Sequence, residues 1–186
     1  EQFELARDKM ALASSLAEGG EFEEAIAMYE AALAVFVALH GHEHPETAKT
    51  HNNMAIVYAK QGEYDKALFH YGKAQEVFVA MHGHEHPSVA SSHAGLGNVC
   101  KAQGDYETAL FHYGKAQEVY VAVYGDMHLD VAKTYCNMAN VYQQQGLFEK
   151  ALEFYQKDLE ITVNIHGQDC PLVADTRNNV AIVYSQ

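Results

Sequence analysis

In PETAKTHNNMAIVYAKQG, residues 45–62, Ala48, His51, Ala55 and Tyr58 recur at steps of three and four, which predicts a helix with one packing face. The next stretch, EYDKALFHYGKAQEVFVAMHG, repeats that spacing through Tyr64, Ala67, Leu68, Tyr71, Ala74, Val77, Phe78 and Met81. Gly62 interrupts the pattern between the two halves, while Gly41 and Gly83 stand just past the ends of second helices. Glycine there closes a helix by taking a left-handed conformation. Pro45 suits a first helical turn, where a missing N–H costs nothing.

The pattern recurs along the whole chain with a step of 42 residues. It links Gly20, Gly62, Gly104 and Gly146; Ala25, Ala67, Ala109 and Ala151; and Tyr29, Tyr71, Tyr113 and Tyr155. ALFHYGKAQEV occurs twice unchanged, at 67–77 and 109–119. The chain is therefore four copies of a helix pair, at about 3–40, 45–82, 87–124 and 129–166, plus a half-unit at 171–186. The joints between pairs read HGHEHPETA, HGHEHPSVA, YGDMHLDVA and HGQDCPLVA. Glycine and the final alanine persist in all four and the histidines do not, so the stretch is first a helix stop and a packing position. His42, His44, His84 and His86 are weak metal-ligand candidates, since each joint supplies three imidazoles at most and structural zinc wants four ligands.

The unit NNMAIVYAKQGEYDKALFHYGKA resembles a tetratricopeptide repeat, whose usual length is 34 residues against 42 here. HPETAKTHNNMAIVYAKQG, HPSVASSHAGLGNVCKAQG and CPLVADTRNNVAIVYSQ are similar to the repeats of kinesin light chains. Where that family usually has leucine before Asn-Asn, this chain has His51, His93, Tyr135 and Arg177. The resemblance implies an all-α fold: nine helices in antiparallel pairs, wound as a right-handed superhelical solenoid whose first helices line a concave groove. It also implies a protein or peptide ligand. The groove candidates are Lys49, Asn52, Asn53, Ile56 and Lys60 in the second unit, Ser91 and Asn98 in the third, Lys133, Asn137, Asn140 and Gln144 in the fourth, and Asn178 and Asn179 in the last helix. Asparagine donates and accepts at once, as an extended peptide backbone does.

Composition narrows the rest. The 186 residues are 48% hydrophobic and carry a formal charge of -13, with ten acids against Arg7 and Lys9 in residues 1–46. Such a chain repels nucleic-acid phosphate, and no apolar run is long enough for a membrane helix. Cys100, Cys136 and Cys170 form no CxxC pair, which points to a reducing, cytoplasmic setting. Cys100 stands at the position of Tyr58 and is expected in the core. No phosphate-binding glycine loop, GxSxG elbow or HExxH is present, so no enzyme and no cofactor is expected. Val180, Ala181, Val183 and Tyr184 lack a following partner helix. They predict an array cut from a longer one, with end-to-end association and an architectural role as the alternative function.

Overall fold

The 42-residue period resolves into helices in the computed structural model, which describes residues 1–186. They are α1 Gln2–Gly19, α2 Phe22–His40, α3 Pro45–Lys60, α4 Tyr64–His82, α5 Pro87–Gln103, α6 Tyr106–Tyr124, α7 Leu129–Gln144, α8 Phe148–His166 and α9 Pro171–Tyr184, with no strand. The chain divides into two compact units, Glu1–Val99 and Cys100–Gln186. In the first unit α1 packs on α2 and α3 on α4, and α3 also meets α2 and α1. In the second, α7 packs on α8 and touches α6, and α9 lies on α8.

The first unit is filled mainly by a cluster that includes Ala13, Tyr29, Met54, Tyr58, Tyr71, Leu96 and Val99. In the second unit Ala139, Ala151, Tyr155 and Val183 form the corresponding core. Ala25, Ala67, Ala109 and Ala151 are all fully buried, and a methyl at that point of each second helix lets the neighbouring helix come close. Val183 corrects one expectation: it is 4% exposed, because α9 lays it against Tyr155 and Ala151 of α8. Tyr184, one residue on, is 76% exposed, as the pattern anticipated.

The joints owe their shape to glycine and histidine together. Gly41 has φ 82° and ψ -179°, and Gly83, Gly125 and Gly167 have nearly the same angles. The expected positive φ is there, but ψ near 180° puts these residues in a region that glycine alone occupies readily, beyond the ordinary left-handed cap. Three residues later a histidine turns back. His44 Nδ1 accepts the backbone N–H of Glu46 at 3.2 Å, and His86 and His128 do the same for Ser88 and Asp130. Each ring also stacks on the last residue of the preceding helix: His44 on His40 at 4.4 Å, His86 on His82 at 4.1 Å and His128 on Tyr124 at 4.2 Å. The joint imidazole is thus both an N-cap and an aromatic spacer. At the fourth joint Cys170 caps with no side-chain bond.

Two measurements of stability test these packing claims. His44→Ala is expected to lower the unfolding free energy by about 1 kcal/mol in a urea titration. Gly95→Ala is expected to destabilise although alanine ordinarily favours a helix, because a Cβ there would sit 2.3 Å from Cε1 and Cζ of Tyr71. A loss of about 1–3 kcal/mol is expected, reduced when Tyr71→Leu is added. A stabilised Gly95→Ala variant would show that the ring yields freely.

Candidate functional site: the first-helix faces

The residues of α3 divide by the helix turn. Thr47, Ala48, Thr50, Met54, Ala55, Val57 and Tyr58 are buried against neighbouring helices. Of the candidates, Lys49, Ile56 and Lys60 are exposed and Asn53 is half-buried. Lys49 is held by Glu46 at 3.1 Å, an exposed pair of small energetic weight. Asn52 turns inward, with Oδ1 out of reach of solvent and without a donor. It belongs to the packing more than to the free face. In α5, Ser91 and Asn98 are exposed.

In the second unit Lys133 and Gln144 of α7 are exposed, Lys133 near Asp130 at 3.3 Å, and Asn137 is half-buried. Asn140 is engaged: the Tyr155 hydroxyl lies 2.5 Å from its Oδ1 and 2.7 Å from Gln143 Oε1. One hydroxyl proton serves one acceptor at a time, so Tyr155 ties α8 to α7 through either amide. The first unit uses the same position with smaller groups, Ser14 Oγ meeting Tyr29 Oη at 2.8 Å. In α9, Asn178 is exposed and Asn179 half-buried. The side chains of Asn53, Asn137, Asn178 and Asn179 join no hydrogen bond within the chain.

Cys100 is buried, as expected from its position, and burial pushes its thiol up. Cys136 sits among α7, α8 and Lys101 of α5. Burial, and then the charge of Asp158, push its thiol up to about 11, so at neutral pH it is a poor nucleophile. Asp158 itself was not foreseen. It is 5% exposed and accepts hydroxyl hydrogen bonds from Thr176 of α9 at 2.6 Å and Thr162 at 2.9 Å. Ala32, Ala74 and Ala116 occupy its place in the other repeats, and Phe36, Phe78 and Tyr120 occupy that of Thr162. A carboxylate among alanines was the available signal.

A second feature went unread in the sequence. A cavity of about 430 Å³ opens beside α4, lined by His42, Glu43, His51, Phe69, Lys73, Glu76, Val77 and Ala80. All eight residue types recur 42 positions later, from His84 and Glu85 to Ala122. The four joint histidines meanwhile separate: His44 and His86 use Nδ1 in capping, His42 borders this cavity, and His84 is exposed. No three His, Cys, Asp or Glu side chains converge as a metal would need.

Residues 6–78, 55–122 and 130–186 match the family model for the tetratricopeptide repeat. The chain belongs to the tetratricopeptide repeat (TPR) family. Its fold is an all-α solenoid of helix pairs of the kinesin-light-chain-like variety. It is similar to the crystal structure of BtubC (BKLC) from P. vanneervenii, with 25% identity and a TM-score of 0.86, over 99% of this chain and 73% of that one. A Podosopora anserina kinesin light chain candidate with nearly identical TPR-like repeats shares the fold at 19% identity and a TM-score of 0.81, over 100% of this chain and 87% of that one. A variant of that protein gives a TM-score of 0.82 at the same identity and coverage. No curated protein matches the chain.

Within this TPR array Asp158 is the buried acid whose titration reports on packing. Burial raises its carboxyl above the ordinary value, and hydrogen bonds from Thr176, Thr162 and Cys136 only partly oppose this. The folded chain therefore holds a proton that the unfolded chain releases, and the contribution of Asp158 falls as pH rises from the unfolded value of about 3.9 through the folded one. Asp158→Asn is expected to match wild type near that lower value and to gain on it as pH rises to neutrality. Urea titrations across that range check this. A difference independent of pH would contradict it.

Proposed function

We propose that the array is a scaffold that holds a peptide or helical segment of a partner protein against its first-helix faces. TPR repeats generally mediate protein–protein interaction and are generally non-enzymatic. The observation that carries the finer reading is a contrast along single helices. On α3 and α7 the packing residues are spent on neighbours, while Asn53 and Asn137, with no internal hydrogen bond, stand beside exposed Ile56, Lys60 and Gln144. Amides that donate and accept suit a peptide backbone, the isoleucine adds apolar area, and the lysines favour acidic side chains. Specificity then comes from which side chains line each face. No helix is long and apolar enough to cross a membrane. The three free cysteines support a reducing, cytoplasmic setting.

The scaffold reading is tested on a peptide array probed with wild type and with the Asn53→Ala, Asn137→Ala double variant. Hits that wild type binds are expected to weaken about tenfold in the variant, with melting temperature nearly unchanged. Equal affinity for every hit would place binding on another surface.

A further inference from the structure

Between α3 and α4, His51 and His70 bring their Nδ1 atoms to 2.8 Å. At that distance one ring donates an N–H and the other accepts with a bare nitrogen. His70 is fixed by stacking on Tyr58, with ring centroids 5.3 Å apart, and Lys66 Nζ lies 5.1 Å from the Tyr58 ring. On its other side His51 borders the cavity with His42 and Glu43 of the joint and Lys73 and Glu76 of α4. Comparing residues 46–61 with 88–103, only Ala48, His51, Val57 and Gln61 keep their type. Ala48 and Val57 are buried and Gln61 closes the helix, which leaves His51 as the retained half-buried side chain in the body of α3.

Protons reach such a pair in two unequal steps. The first goes to the outer nitrogen of the donor ring and leaves the bond in place, now assisted by charge. The second has only the shared Nδ1 of the acceptor ring to occupy, so it breaks the bond and sets two cations side by side. The surroundings resist that state. Burial first, then the charges of His70, His42 and Lys73, hold His51 at about 4, and burial lowers His70. The carboxylates in position to receive a freed imidazolium are Glu43 and Glu76, across the cavity, where Glu76 pairs with Lys73 at 2.8 Å.

We propose that His51 and His70 form a proton-operated latch between α3 and α4, closed while either imidazole is neutral and released when both are charged, with His51 then turning toward Glu43 and Glu76. The sense follows from linkage. Folded-state values are lowered, so the stability contributed by the pair is complete above the ordinary imidazole value of about 6.5 and is lost as pH falls through the lowered values. The fourth repeat supplies a natural control, with Tyr135 and Phe154 at the same positions, ring centroids 5.9 Å apart, and no imidazole.

Hydrogen exchange on the full chain, corrected for intrinsic rates, tests this at about pH 7 and about pH 3.5 in wild type and in His51→Tyr, His70→Phe. Amides of α3 and α4 in wild type are expected to lose at least about tenfold more protection on acidification than those of the variant. Other histidines titrate in both proteins and cancel. Equal losses overturn the latch. Should the double variant fail to fold, His70→Phe alone keeps a ring on Tyr58, and NMR then follows the titration of His51. Its midpoint is expected to rise when the neighbouring charge is gone, and an unchanged midpoint overturns the proposal.

Discussion

Everything in this array depends on how closely helices can approach at the alanines of the repeat. Ala25, Ala67, Ala109 and Ala151 are fully buried, as are Ala6, Ala48 and Ala90 of the first helices. A methyl group fills the contact without spreading the helices. The tyrosine four residues after each of the first set, Tyr29, Tyr71, Tyr113 or Tyr155, then reaches over the neighbour, where its ring is buried. A larger residue at the alanine would separate the helices and withdraw that ring from its site. Within each unit a helix pair packs on its neighbour, α2 on α3 and α8 on α9, which is how repeat arrays accumulate stability from nearest neighbours.

The joints set where each helix pair ends and the next begins. A glycine with positive φ reverses the chain, and the imidazole of His44, His86 or His128 satisfies an N–H of the following helix while stacking on the preceding one. One side chain thus fixes both the end of one helix and the start of the next. At His44, His86 and His128 a flat ring with an acceptor beside Cγ meets both demands.

Individuality lies where a copy departs from the others. Gly95 replaces a position held by Asn53 and Asn137, and the Tyr71 ring occupies the space released. Asp158 and Thr162 replace an alanine and an aromatic residue, and Asp158 ties α9 to α8 through Thr176 in addition to the apolar contact of Val183. His51 and His70, whose types recur at His93 and His112, put a proton-sensitive contact where the fourth repeat has Tyr135 and Phe154. Asp158 and the imidazoles of His51 and His70 exchange non-directional packing for contacts with a geometric or protonation requirement. The repeat tolerates them because its core contacts are distributed.

The sequence by itself determined the period, the helix pairs, the positions of the stops and the family, because these follow from local spacing and from residues that recur every 42 positions. It also placed Cys100 in the core and Tyr184 at the surface. Only the tertiary structure decided which polar groups meet. That Asn140 answers Tyr155 while Asn53 stays unbonded, that Asn52 turns its oxygen inward, and that Val183 is covered all depend on side chains brought together from different helices. Helical periodicity says which face a residue shares, but hydrogen bonds, caps and cavities depend on distances of a few ångströms between faces, and those arise only when the helices have packed.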